Sequence, residues 1–205
     1  MTDPYFWNLE ARIYKEILEE DMLKKFSNII SSAISEAFSK TANVSFSADT
    51  RSSIINLEDL NQIDIEQGLL TVCISSSNYP FLSFFLINPQ NLSILSNILS
   101  KKQIGEDQSL GEMEKSIALE IANILQGSLI ASLSDITNKY IAATTPSILT
   151  LFELKDTISK FISDSRKSGE KIVFTKSLIS SGGVAFAKTA FVFGQPMIES
   201  LIKII

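Results

Sequence analysis

The stretch Ser116-Ile-Ala-Leu-Glu120-Ile-Ala-Asn123-Ile-Leu-Gln-Gly127-Ser-Leu-Ile-Ala-Ser132-Leu-Ser134-Asp135 decides how the rest of the chain is read. Its apolar residues recur at helical spacing and predict one amphipathic helix. Glu120 and Asn123 interrupt that pattern three residues apart, which makes them neighbours on one helix face. Ser116 lies one turn before Glu120, and Gly127 one turn after Asn123. Asn and Gly are poor residues for a helix interior, which points to a demand other than helix formation. The plain alternatives are a solvated face for Glu120 and Asn123, a solvent-facing serine at 116, and close helix packing at Gly127.

A second segment, Lys25-Phe-Ser-Asn28-Ile-Ile-Ser-Ser32-Ala-Ile-Ser-Glu-Ala-Phe38-Ser39, aligns with Glu120–Ser134 when Asn28 is placed on Asn123. Apolar, small and polar positions coincide along most of the length. Asp21 then falls opposite Ser116, Lys25 opposite Glu120, and Ser32 opposite Gly127. A β-prone segment follows each helix, Val44–Ala48 and Tyr140–Thr144. The ends of the two halves match as well. Phe84–Leu99 and Ala190–Ile205 each read as strand, turn and helix, with Pro89 and Pro196 near the helix starts, where a missing N–H costs little. Leu92, Leu95 and Leu99 correspond to Ile198, Leu201 and Ile205. Leu69–Ser75 with Phe81–Ile87, and Lys171–Ile179 with Val184–Phe193, read as hairpins, the second turning at Gly182-Gly183.

The unit is therefore long helix, three strands, short helix, used twice. The expected fold class is α/β (α+β): about six antiparallel strands in one sheet, both long helices on one face, and approximate two-fold symmetry between halves. Residues 20–205 would form a single domain of two repeats, about 20–100 and 108–205, preceded by an N-terminal extension, 1–19. In that extension Ile13, Ile17 and Leu18 suggest a helical lead-in, and Trp7 a docking residue. Residues 50–68 are polar with scattered Leu and Ile and read as an irregular loop. Leu154, Ile158, Phe161 and Ile162 place a surface helix within 153–170.

Bulk properties remove several function classes. The 205 residues are 45% hydrophobic and 20% charged, which is globular composition. Net charge is −5 and no basic patch stands out, so nucleic acid is not an expected partner. The longest apolar runs fall short of the roughly 20 residues a membrane span needs. The N-terminus lacks the basic-then-apolar order of a signal peptide. The one cysteine, Cys73, sits in an apolar run and reads as a buried, inert thiol. A chain without a disulfide suits a reducing cytoplasm. With no histidine, Ser-His and Cys-His nucleophile pairs and His-based metal sites are unavailable. No glycine-rich phosphate loop is present either, so no cofactor or metal of its own is expected. The chemistry left is that of carboxylates, amides and hydroxyls.

The Ser116–Glu120–Asn123 spacing, with a small residue at 127 and Leu133-Ser134 beyond it, resembles the signature of the CheC/CheX/FliY family of chemotaxis phosphatases. The resemblance covers roughly residues 20–205 and implies the same pseudo-symmetric α/β architecture. It implies that the substrate is a CheY-like response regulator carrying an aspartyl phosphate, with Mg²⁺ held by that regulator. It further implies that Asn123 orients a water for in-line attack and that Glu120 docks onto the regulator's lysine, supported by Ser116 and Gly127. A CheD-like protein is a further candidate partner. The first half departs from the pattern: Asp21 and Asn28 remain, but Lys25 replaces the acidic residue, so this second site reads as degenerate. The alternative reading is a non-catalytic adaptor or a FliM-like flagellar-switch module, and a third is a scaffold that uses the sheet only to oligomerise.

Overall fold

The computed structural model describes residues 4–62, 68–100, 111–165, 171–194, 196 and 199, with the backbone alone over 4–18 and at 58, 61, 62, 99, 100, 136, 137 and 165. Two long helices, α1 (Pro4–Ala42) and α3 (Glu112–Thr137), pack on each other and on one face of a six-stranded antiparallel sheet. The strands are β1 (Ser47–Asn56), β2 (Leu70–Ser75), β3 (Phe81–Ile87), β4 (Ser147–Leu149), β5 (Lys171–Ser181) and β6 (Val184–Phe193), in the order β1-β5-β6-β3-β2-β4. Exchanging β1 with β4, β2 with β5 and β3 with β6 turns that order into its own reverse. The expected two-fold therefore passes through the central β3–β6 pair, where Phe84 faces Ala190. The helix of α1 runs without a break across position 19/20.

Both hairpins lie where the alternation placed them. Gly182 (φ 57°) and Gly183 (φ 81°) turn the second one in a backbone that favours glycine. Asn88 accepts the Asn91 N–H at 2.7 Å and so caps α2 (Pro89–Ser100), with Pro89 in the first turn. Both long helices also stop on an asparagine in the left-handed conformation, Asn43 (φ 52°) and Asn138 (φ 49°). The two asparagines hold equivalent places in the repeats. The matching short helix expected at Ile198, Leu201 and Ile205 lies outside the described residues.

Two expectations are corrected. First, residues 50–62 are not a loop: β1 runs through to Asn56, and a 3-10 segment, Leu57–Gln62, follows; 63–67 lie outside the described residues. Between the inward-facing Ala48 and Ile54 the inward side chains of β1 are the hydroxyls of Thr50 and Ser52, so no apolar alternation announces the strand. Thr50 and Ser52 bond Ser177 and Thr175 across the sheet at 2.8 and 2.9 Å. From above, a row of α1 serines one turn apart meets this strand. Ser27 bonds Ser52 at 2.8 Å, Ser31 donates to the Ala48 carbonyl at 2.6 Å, and Ser35 and Ser39 accept the N–H groups of Ala48 and Phe46, both at 2.9 Å.

Second, Tyr140–Thr144 is not a strand. Ala143 makes one isolated bridge to Ser76, and pairing resumes only at Ser147, after Pro146, which has no N–H to give a ladder. Within that gap the Ser75 N–H is satisfied by the Thr144 hydroxyl at 3.1 Å. The β-prone segment of the first half likewise begins pairing late, at Ser47.

By length and composition α3 is long and apolar enough to cross a membrane, with 24 residues at a mean hydropathy of 1.4. Scattered rather than continuous apolar residues produce that value. Ala118, Ile121, Ala122, Leu125, Leu129 and Leu133 are all buried in the main core.

That core lies between the long helices and the sheet. Phe193 stands at its centre, 5.1 Å from Phe26, 5.2 Å from Phe81 and 6.2 Å from Phe191 by ring centroids. A polar pin from α3 crosses it: Gln126, fully buried, donates from Nε2 to Ser83 at 2.7 Å. The other face of the sheet carries a smaller core. There α4 (Leu151–Ser165) applies Leu154, Ile158, Phe161 and Ile162 to Cys73, Leu82, Phe84 and the 3-10 segment. The expected surface helix is thus present, with four of its side chains closing a second layer. Cys73 is buried in that layer, and desolvation pushes its thiol up to about 12, as expected of an inert thiol.

Candidate functional site

Ser116, Glu120, Asn123 and Gly127 are all exposed, and at 100° per residue they lie within about 40° of one line along α3. Their placement follows from the helix's burial pattern, since the opposite side is taken by the core residues named above. Glu112 and Glu114 occupy the first turn, where the helix dipole favours carboxylates. The Ser116 hydroxyl turns back onto the Glu112 carbonyl at 2.8 Å, so it acts locally within the helix. Glu120 and Asn123 have no hydrogen-bond or ion-pair partner among the described residues. Both are therefore presented to solvent from a rigid, packed helix. Met113, 47% exposed, extends the same line by one turn and adds apolar surface that the motif alone did not signal.

Gly127 does not serve helix packing. A Cβ built there meets nothing within 4 Å, because the residue faces outward with Asn123. Removing the conformational cost of a mid-helix glycine then comes without a steric penalty. Gly127→Ala is expected to raise unfolding stability by about 0.5–1 kcal/mol, read from the urea midpoint at unchanged slope.

The first half repeats the display. Asp21, Lys25, Asn28 and Ser32 are exposed on α1 with the same spacing, on the same outer face of the helix layer. The two-fold thus brings both sets of side chains onto one surface, differing at the charged position. Among the described residues no group of three or more His, Cys, Asp or Glu side chains gathers to hold a metal ion. One group escaped the sequence entirely: Arg51 and Lys176 are direct cross-strand neighbours on the opposite sheet face. Nothing signalled the pair, because the register of β1 was not legible.

No protein-family model matches the chain, and no curated protein matches it. Solved structures do. FliY from Thermotoga maritima superposes with a TM-score of 0.63 at 13% identity, covering 90% of this chain and 98% of that one. The FliM middle domain from H. pylori gives 0.56 at 11% identity, covering 90% and 98%. A chain of the CheX–CheY–BeF3–Mg²⁺ complex from Borrelia burgdorferi gives 0.50 at 11% identity, covering 82% and 97%. The protein has the fold shared by the CheC, CheX and FliY chemotaxis proteins and the FliM middle domain.

Proposed function

We propose that the chain is a phosphatase acting on the aspartyl phosphate of a CheY-like response regulator. The observation that carries this reading is the Glu120–Asn123 pair, exposed and without partners on a rigid helix of this fold. The fold's occurrence in a chain complexed with CheY, beryllofluoride and Mg²⁺ supports it, because BeF3 on a carboxylate mimics an acyl phosphate. Phosphoryl transfer depends on positioning and charge neutralisation more than on a protein nucleophile, which suits a chain without histidine. In the proposed step the Asn123 carboxamide holds a water in line with phosphorus. The water oxygen bonds to phosphorus, the bond to the aspartyl oxygen breaks, and the regulator's carboxylate and inorganic phosphate leave. Glu120 pairs with a lysine of the regulator, whose Mg²⁺ neutralises the phosphoryl oxygens. The open space at Gly127 lets the regulator approach the helix closely. The setting is cytoplasmic, where such regulators work.

The second reading is a FliM-like switch module without catalysis. Its support is the better superposition on the FliM middle domain than on the CheX chain. Single-turnover dephosphorylation of a phosphorylated CheY-like regulator separates the two: acceleration supports the phosphatase, and tight binding with an unchanged half-life supports the switch module. Glu120→Lys is expected to weaken binding of a beryllofluoride-activated regulator more than Glu120→Gln, since it adds like-charge repulsion. Equal affinities of the two variants in a titration would remove Glu120 from the interface.

A further inference from the structure

Among the described residues the sheet face opposite Glu120 and Asn123 is covered by a long helix in one half and by a short 3-10 segment in the other. In the helix-covered half α4 lies over β2 and β3, and Cys73 and Leu82 are buried at 5% and 3% exposure. The hairpin registers, Cys73 on Phe84 and Lys176 on Ala190, make Lys176 the two-fold counterpart of Cys73. By the same registers Lys188 is the counterpart of Leu82. Among the described residues the counterpart of α4 is the six-residue 3-10 segment Leu57–Gln62. Among the described residues the result is an open groove of about 590 Å³. Its floor is apolar, with Phe84, Leu86, Phe174 and Ala190, and Leu178 is 37% exposed beside it.

The rim is cationic on a chain whose net charge is −5. Arg51 and Lys176 stand directly opposite one another on β1 and β5, and Lys188 lines the groove one diagonal step away on β6. Like charges in such a cross-strand pair are destabilising. The carboxylate of Asp49 reaches Arg51 only at 3.9 Å, between two exposed groups, and relieves little of this. A surface that is apolar along its floor, basic at its edge, and related by symmetry to a helix-covered surface has one matching occupant.

We propose that this groove docks an amphipathic helix of a partner protein, with its apolar stripe on Phe174, Leu178 and Ala190 and acidic residues beside Arg51 and Lys176. The helix takes the place that α4 takes in the other half. The groove lies on the far side of the sheet from Glu120 and Asn123, so this proposal and the phosphatase reading stand or fall separately.

The test is a titration of the full chain with a fluorescent, helix-stapled peptide that copies α4 with glutamate at Lys155 and Lys160, against the same peptide with both lysines kept. The acidic peptide is expected to bind saturably and to weaken with salt. Arg51→Glu combined with Lys176→Glu should weaken it at least about tenfold, and Leu178→Asp should do the same, with circular dichroism unchanged in both. Equal binding of the two peptides, indifference to the charge reversal, or no binding of the acidic peptide would overturn the proposal. So would concentration-dependent self-association abolished by Lys176→Glu, which would assign the groove to a second copy of the chain.

Discussion

Asn123→Ala is expected to reduce regulator dephosphorylation by roughly 10²-fold or more, the scale of loss when a reacting group is misplaced. Stability should change by no more than about 0.5 kcal/mol, because the side chain is exposed and bonds to none of the described residues. Regulator binding should persist, since Glu120 remains. The measurement is the phosphoregulator half-life at saturating protein, beside an urea melt. Undiminished hydrolysis with an intact fold would remove Asn123 from the chemistry. The same background tests the first half. There the Asn28 of α1 is displayed like Asn123, but Lys25 would meet the regulator's lysine with like charge. Lys25→Glu in the Asn123→Ala chain should recover detectable activity, whereas Asn28→Ala alone should leave the wild-type rate unchanged.

Phe193→Ala is expected to destabilise the fold by about 3–5 kcal/mol, the range for emptying a buried aromatic site. The ring is fully buried and touches three other phenylalanines drawn from α1, β3 and β6. The backbone beside it cannot collapse into the space. Gly194 is held by an N–H bond to the Pro80 carbonyl at 2.8 Å, and a Cβ there would stand 2.6 Å from the Pro80 ring. At this chain length the melting midpoint should fall by something of the order of 10 °C. Phe152→Ala is the matched control. That ring is 82% exposed, and its loss should move the midpoint by little. Similar losses from both variants in calorimetry would contradict the packing described.

How far the sequence could be read depended on what each element buries. The long helices were legible because Phe26, Ile30, Ile34 and Phe38 repeat the spacing of Ile121, Leu125, Leu129 and Leu133, and the core takes all eight. The hairpins were legible because β2 and β3 are buried on both faces and read as apolar runs. Only the start of β1 was legible, as the β-prone Val44–Ala48, since further along Thr50 and Ser52 point inward and bond to hydroxyls of β5 and α1. β4 was displaced because it is only three residues long, at a sheet edge, behind a proline. The Glu120–Asn123 display was legible from spacing alone. The Arg51–Lys176 pairing required a register that no local pattern encodes.

The serine row of α1 separates two helices that otherwise look alike. Apolar packing is non-directional and tolerates small rotations of a rod in its bed. Hydrogen bonds are directional and do not. α3 is tied to the sheet across the core by Gln126 on Ser83. α1 is keyed to β1 at Ser27, Ser31, Ser35 and Ser39, four consecutive turns, like a shaft in a splined hub. Turning α1 about its axis would break this whole row at about 1 kcal/mol per bond, whereas turning α3 would strain chiefly its packing. A torque applied to the helix layer from outside would therefore meet directional resistance at α1 before it met any comparable row on α3, among the described residues.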